Sequence, residues 1–156
     1  CLQPRSMQDL QELLRNLHEG EWAAVVLDLE QSSELNHMAR WCELVRNQWE
    51  APLLIQVATD QISQLTVIPQ AVDSLLLSSG PRAKHESHYG RLVGPAIEPL
   101  LGWGLERLRE LTEKPLICSA PSLASLAALP EIGAQAIVLD SLLWTTTPQQ
   151  LPQINL

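Results

Sequence analysis

The sequence contains no phenylalanine and one tyrosine, and aromatic residues make up only 4% of its 156 residues. Leucine, valine, isoleucine and alanine must therefore fill the core of a chain that is 46% hydrophobic. Basic residues are scarce too: ten Lys and Arg stand against eighteen Asp and Glu, a formal net charge of −8. A field of that sign repels nucleic acid and anionic membranes, so we expect neither as a partner.

Long apolar runs are also missing, since no hydrophobic stretch approaches the roughly 18 residues that a membrane span requires. The first residues lack the basic-then-apolar order of a secretory signal peptide. The three cysteines, Cys1, Cys42 and Cys118, are odd in number and widely spaced, with no Cys-x-x-Cys pair. This usage is typical of reduced, buried thiols, and together these absences predict a cytoplasmic protein.

Apolar residues alternate along the chain between helical spacing and continuous strand-like runs. An unbroken apolar run is typical of a strand that is covered on both faces, as in a parallel sheet. A helix–strand order repeated about five times predicts a single α/β domain over residues 1–144, with a tail or linker at 145–156. The pattern places helices at 10–17, 35–49, 105–111 and 122–129, and strands at 22–29, 53–57, 71–77, 115–118 and 133–140.

Two architectures fit about five parallel strands alternating with helices. A complete (β/α)₈ barrel needs about 250 residues, so the length predicts a partial or degenerate TIM-barrel-like sheet. The alternative is an open sheet of the flavodoxin or receiver type.

Residues 78–104 form the longest stretch without a clear period, with five glycines and three prolines. Irregular connections of this length are usually functional or mobile, so the stretch is a candidate small-molecule site. Trp103 lies between Gly102 and Gly104, and we expect these glycines to leave it able to move or to meet a partner.

The most specific phrase is Gly133-Ala-Gln-Ala-Ile-Val-Leu-Asp-Ser-Leu-Leu-Trp, followed by Pro148 and Pro152. With the strand–loop–helix units before it, this phrase resembles the FMN-binding nitronate monooxygenase (2-nitropropane dioxygenase) family. It is most similar to the degenerate form fused to polyketide and polyunsaturated fatty acid synthases. The resemblance covers roughly residues 50–150.

The resemblance implies that two strand ends hold the FMN phosphate through backbone amides, at Ser119, Ala120 and Ser141. Glycine normally permits the close backbone approach at such sites, but this chain has none there, and Pro121 has no amide to donate. Asp140 also places a carboxylate where phosphate would lie, and their repulsion at ~4 Å costs several kcal/mol at intermediate dielectric. Both departures argue against family-type FMN binding, so the cofactor stays undetermined.

The resemblance further implies a histidine general base in the loop after the third strand. His88 fits this position better than His85, although the glycines that normally precede the histidine are absent. A neutral imidazole suits proton abstraction from an acidic carbon, which in an active member would lead to flavin-dependent oxidation. Beside Arg82, Lys84 and Arg91, the same histidines equally fit a solvated basic patch.

Asp28 supports a different hypothesis, a receiver-like signalling domain with Asp28 as phospho-acceptor. It ends an apolar strand, and Thr59 follows the next strand at the switch position of receivers. The paired upstream acids that bind Mg²⁺ and the final Lys-Pro strand of receivers are absent. The alternative role for Asp28 is to end its strand or cap the next helix.

These observations lead to one principal hypothesis. The chain is expected to be a catalytically degenerate nitronate-monooxygenase-like module of a larger multidomain synthase, with a structural or partner-docking role. Its expected partners are other synthase domains or proteins, with a homo-oligomer as a further possibility. The alternatives are a receiver-like signalling or interaction domain and an active FMN-dependent oxidoreductase.

Overall fold

The computed structural model describes residues 1–17, 22–30 and 35–147. Short 3₁₀ turns at Leu35–His37, Thr59–Gln64 and Pro95–Ile97 supplement the regular elements. The helices are α1 (Met7–Arg15), α2 (Met38–Arg46), α3 (Glu98–Leu111), α4 (Ser125–Ile132) and α5 (Asp140–Thr145). The strands are β1 (Val25–Asp28), β2 (Leu53–Ala58), β3 (Ser74–Ser79), β4 (Arg82–His85), β5 (His88–Arg91), β6 (Leu116–Ser119) and β7 (Ala136–Val138).

Five strands form a parallel sheet in the order β1-β2-β3-β6-β7, which confirms the predicted α/β fold. Each strand lies beside the next strand of the sheet along the chain, as in a β/α barrel. The order contains no reversal of the kind at which flavodoxin-like sheets bind ligands. No ladder joins β1 to β7 within the described part of the chain, so the described sheet is open.

The N-terminal segment extends this sheet beyond β1. Leu2 forms an isolated parallel bridge with Leu27, in which its N–H donates to the carbonyl of Val26 at 2.7 Å. Its own carbonyl accepts from the N–H of Asp28, also at 2.7 Å. The short segment before α1 therefore takes the place of a further parallel strand.

One face of the sheet carries the core. Alternate strand residues on this face, including Leu27, Ile55, Leu75 and Cys118, are buried in a single cluster with the apolar faces of the helices. Right-handed crossovers between consecutive parallel strands place all the connecting helices on the same face, which accounts for this one-sided core. The helical members of the cluster include Leu10, Leu14, Trp41, Cys42, Leu101, Leu105, Leu108, Leu129 and Leu142.

The second face of the sheet is less well covered. Val26, Leu54, Leu76 and Ile117 are aliphatic and only partly buried, and none of them belongs to the core cluster. The strands alternate their side chains between faces, so polar residues complete this face near the carboxyl ends of the strands. We call it the open face.

The structure corrects the prediction that residues 78–104 are irregular. The segment ends β3, forms the antiparallel hairpin β4–β5 and begins α3 at Glu98. Gly102 and Gly104 lie inside α3, so Trp103 is held in a helix and its side chain is 46% exposed. A Cβ at position 104 would lie 2.8 Å from Cδ2 of Leu77, so glycine is needed for α3 to approach β3.

Other boundaries differ from the predictions by a few residues. The third strand begins at Ser74 rather than at residue 71, and the helix predicted at 122–129 is displaced to Ser125–Ile132. Thr145, the first residue of the predicted tail, ends α5, while Pro148 and Pro152 lie outside the described residues. Within the described ranges, no helix combines the length and apolar character needed to cross a membrane.

Candidate functional site

The carboxyl ends of parallel strands meet at one edge of the sheet, where α/β folds place their ligands. At this edge five polar side chains come from distant parts of the chain and contact one another or the intervening backbone. They are Asp28, Glu30, Gln61, Ser78 and Arg91, which we call the carboxyl-edge cluster.

Arg91 holds the cluster together from the base of the β4–β5 hairpin. Its side chain is only 7% exposed and forms an ion pair with the carboxylate of Asp60. The guanidinium also donates to the carbonyl oxygen of Glu30, and at 3.4 Å to that of Gly80. Arg91 therefore ties the hairpin to the ends of β1 and β2.

Glu30 and Gln61 connect the ends of the first three strands. The Ser78 hydroxyl on β3 donates to Oε1 of Glu30, which follows β1. The Gln61 amide donates to the carbonyl oxygen of Leu29 at 2.8 Å, and its Oε1 accepts from the N–H of Ala58 at 2.9 Å. These bonds use the polar groups of the cluster to join strands.

Two buried atoms at this edge are exceptions. The Nε of Arg91 and the Oγ1 of Thr59 have no hydrogen-bond partner in the part of the chain that the structure describes. Unpaired buried polar atoms are few in native proteins, so hydrogen bonding at this edge is least complete around these two atoms.

Asp28 lies at the end of β1 and is also engaged. Its Oδ1 accepts from the N–H of Glu30 at 2.9 Å, and its Oδ2 accepts from the Gln3 side chain at 3.1 Å. Burial raises the pKa of Asp28, against the lowering effect of the Glu30 N–H. In this geometry Asp28 links the N-terminal segment to β1 and to the following turn.

The described residues contain no group of three or more His, Cys, Asp or Glu side chains that could hold a metal ion. The Mg²⁺ ligands of a receiver are therefore not assembled around Asp28 within those residues.

The residues that match the FMN phosphate positions lie at the ends of β6 and β7. The Ser119 hydroxyl donates to Oδ2 of Asp140 at 3.3 Å. The N–H of Ala120 donates to the carbonyl oxygen of Val138 at 2.9 Å, which extends the β6–β7 ladder. Ser141 is the second residue of α5, directly after Asp140.

The neighbouring Cys118 is buried on the core face. Burial raises the pKa of its thiol to about 12, and the negative charge of Asp140 acts in the same direction. A thiol with such a pKa is protonated at neutral pH, which is typical of a buried structural cysteine.

His85 and His88 form the last residue pair of the β4–β5 hairpin and are both exposed. Glu86, in the turn between them, has a φ of 54°, in the left-handed region. The hairpin base is the pair Arg82 and Arg91, three residues from the tip, or about 10 Å at the usual rise of a strand. The histidines therefore occupy the outer end of a projecting hairpin rather than the carboxyl-edge cluster.

No protein-family model matches the chain, and no curated protein matches it. The resemblance to nitronate monooxygenases therefore stays a prediction that depends on the sequence phrase at residues 133–144.

Sequence reasoning did not identify Glu30, Gln61 and Arg91 as a cluster. Glu30 had a signal, since an acid directly after a buried strand lies at the ligand-binding edge of a parallel sheet. Arg91 was noted only as part of a basic patch, and Gln61 carried no signal at all. Their contacts span 31 and 61 residues of sequence, so they depend on the tertiary fold.

Proposed function

We propose that this chain is a catalytically inactive, nitronate-monooxygenase-like module that acts through protein contacts within a larger multidomain synthase. The observation that carries the proposal is the arrangement of Ser119, Ala120 and Asp140. At the position where the resemblance implies a phosphate, the chain holds a carboxylate of its own.

The backbone at this position supports the same conclusion. The N–H of Ala120 already donates to the carbonyl of Val138, and Pro121 has no N–H. A phosphate site of this kind depends on several backbone N–H groups directed at one anion. Here one amide is used by the sheet and the next is missing.

Electrostatics adds to the exclusion. A unit charge about 4 Å from another contributes about 4 kcal/mol at the effective dielectric of a protein surface. Asp140 is exposed, so solvent screens its repulsion of a phosphate dianion below this figure, but the sign of the effect still opposes binding.

The open face supports a role in protein contacts. Four aliphatic residues, Val26, Leu54, Leu76 and Ile117, occupy neighbouring strands on this face without joining the core. Parallel sheets are usually covered on both faces, because their connections bring helices or further strands over them. In a complete β/α barrel such a face is the packed interior, whereas in an open sheet it is available to the apolar surface of a partner.

Flavin binding provides the first test. We expect the purified chain to be colourless near 450 nm and to leave FMN fluorescence unquenched up to about 1 mM FMN. A Kd above about 1 mM corresponds to a binding free energy weaker than about −4 kcal/mol. Saturable quenching with a Kd in the low micromolar range would overturn the proposal.

A pair of variants identifies the cause. Asp140→Asn removes the charge at the phosphate position, while Glu131→Gln removes one from α4, at an exposed position. If Asp140 contributes to the exclusion, Asp140→Asn binds FMN at least about tenfold more tightly than Glu131→Gln. Equal affinities would show that overall charge, or the backbone alone, is responsible.

The synthase context has its own test. Ketosynthase or acyltransferase sequences encoded beside this segment in the same reading frame would support the proposed module. A reading frame that encodes only this domain would contradict that part of the proposal and leave the flavin result unchanged.

A further inference from the structure

We propose that His85 and His88, at the tip of the β4–β5 hairpin, together bind one late first-row divalent metal ion such as Zn²⁺. This inference goes beyond the proposed function, because it does not depend on whether the chain binds flavin. It is based on the register of the hairpin, on the face that its basic residues occupy, and on the open space beside the two imidazoles.

The two histidines lie directly opposite each other. In the antiparallel register His85 pairs with His88, so both side chains leave the same face of the hairpin. Directly opposed residues have Cβ atoms about 4.5 to 5.5 Å apart. Two imidazole nitrogens that each bind a tetrahedral zinc at about 2.0 to 2.1 Å lie about 3.3 Å from each other. Imidazoles attached to Cβ atoms at this separation can converge on one ion.

The basic residues of the hairpin lie on its other face. Arg82 pairs with Arg91 and Lys84 pairs with Tyr89, and both pairs alternate in face with the histidine pair. The Lys84 ammonium lies 5.4 Å from the centre of the Tyr89 ring, which agrees with this assignment of faces. The fold thus separates the histidines from the cations beside them in the sequence. Among residues 82–91, none on the histidine face is basic.

The neighbours of the histidines on their own face are small. The next pair along this face is Ala83 and Gly90. A Cβ added at Gly90 would have no atom within 4 Å, so the surface beside the histidine pair is open. His85 and His88 are themselves exposed. A hydrated ion can therefore reach both imidazoles without displacing a packed side chain.

The turn between the histidines supplies negative charge. Glu86 directly follows His85, and the whole chain carries a formal net charge of −8, so the local and the overall field both attract a cation. Within the described residues, no third His, Cys, Asp or Glu side chain is in place to complete a metal site. Two imidazoles therefore hold the ion, Glu86 contributes charge rather than a ligand, and water fills the remaining positions.

A bound ion would link the two strands at the tip of the hairpin. A two-stranded hairpin alone is marginally stable in water. A ligand that binds only the folded form stabilises that form by mass action. Arg91 already ties the base of the hairpin to the rest of the sheet, so a metal ion at the histidines would fix its outer end as well.

Zinc titration of the Cys1→Ser chain tests the inference. This background removes the exposed thiol of Cys1, which would compete for the same metal. At about pH 7.5, where an ordinary imidazole is largely neutral, we expect calorimetry to give one Zn²⁺ per chain with a Kd tighter than about 100 µM. In NMR spectra, the imidazole Cε1–H signals of His85 and His88 should shift together along one saturation curve.

Variants at the pair should weaken this binding. His85→Asn and His88→Asn each remove one of two ligands, so each should raise the Kd for Zn²⁺ at least about tenfold. His37→Asn is the matched control, because it removes an exposed histidine that lies outside the hairpin. Its Kd should stay within about twofold of that of the Cys1→Ser chain, as expected for a distant site.

A double variant tests the register rather than the number of histidines. His88→Asn combined with Tyr89→His keeps the histidine count but moves one imidazole to the face of Lys84. It should bind Zn²⁺ no more tightly than His88→Asn alone. The backbone amide signals of the hairpin show whether each variant keeps its fold.

Three results would overturn the inference. The first is an absence of saturable Zn²⁺ binding up to about 1 mM. The second is a loss of affinity in His37→Asn as large as that in His88→Asn. The third is a double variant that binds Zn²⁺ as tightly as the Cys1→Ser chain, which would show that the facing register of the two histidines is irrelevant.

Discussion

Because α3 lies close to β3, we expect Gly104→Ala to destabilise the original chain but to stabilise a variant in which the facing Leu77 is shortened. A Cβ added at Gly104 would lie 2.8 Å from Cδ2 of Leu77, and both residues are buried. Alanine in a helix interior is favoured over glycine by about 1 kcal/mol. Overpacking of a close-packed core costs about 1 to 3 kcal/mol. Gly104→Ala should therefore lower the free energy of unfolding by about 1 kcal/mol.

Leu77→Ala removes the atom that causes this clash. Alone it should cost about 2 to 5 kcal/mol, because it deletes buried methyl groups and leaves a cavity. In the Leu77→Ala background, Gly104→Ala retains its helix propensity and gains room, so it should raise the free energy of unfolding by about 1 kcal/mol. The double-mutant cycle thus predicts a coupling of about 2 kcal/mol.

Urea denaturation monitored by tryptophan fluorescence measures all four forms. Gly102→Ala is the matched control, because its Cβ would meet only Cδ1 of Ile132, at the ordinary contact distance of 3.6 Å. It should stabilise the chain by up to about 1 kcal/mol in both backgrounds. The packing argument is refuted if Gly104→Ala stabilises the original chain as much as Gly102→Ala does.

Further predictions concern the hairpin base, a buried acid and the thiols. Gly80→Ala should destabilise the chain by about 1 to 3 kcal/mol, whereas Gly90→Ala, with nothing within 4 Å of its Cβ, should change the melting temperature little. Burial raises the pKa of Asp28 above its ordinary value of 3.8, so its contribution to stability is complete below that value and is lost as pH rises through the folded-state pKa. The stability of Asp28→Asn relative to the original chain should therefore increase with pH over that range in urea titrations, and a constant difference would contradict the assignment. Burial raises the thiol pKa of Cys42 and Cys118 to about 12, so a disulfide reagent at pH 8 should modify one thiol rapidly in the folded chain and three after unfolding.

The sequence was sufficient to predict the α/β class and the five parallel strands. Strands that are buried in a parallel sheet appear as continuous apolar runs, and 53–57 and 115–118 are of this kind. Helix faces were equally clear where leucines recur at three and four residues, as in α1. These signals are local, so they survive without knowledge of the tertiary fold.

The hairpin and the start of α3 could not be predicted in the same way. Glycine and proline usually mark loops, and Gly102, Gly104 and Pro99 together obscured the beginning of the helix. Gly104 occurs inside the helix because of a tertiary contact with Leu77, and Pro99 is accepted because proline is tolerated in the first turn of a helix. Only the folded chain reveals the first of these.

The candidate site shows the same division. The resemblance alone drew attention to Ser119, Ala120 and Asp140 as candidate positions. The structure adds a hydrogen bond from the Ser119 hydroxyl to the Asp140 carboxylate. Arg91 and Gln61 both donate to the carbonyl oxygen of Glu30, just after β1, across 61 and 31 residues of sequence. No local pattern reports contacts of that length.

The claim that this chain does not bind FMN phosphate is tested most directly by the backbone amide signals of Ala120, Asp140 and Ser141. In a ¹⁵N-labelled sample titrated with FMN, these amides would contact the phosphate if the site worked as the resemblance implies. We predict that their chemical shifts stay unchanged up to about 1 mM FMN, because Asp140 and the β6–β7 ladder already use the site. Saturable shifts at Ala120 and Asp140 that fit a micromolar Kd would contradict the account.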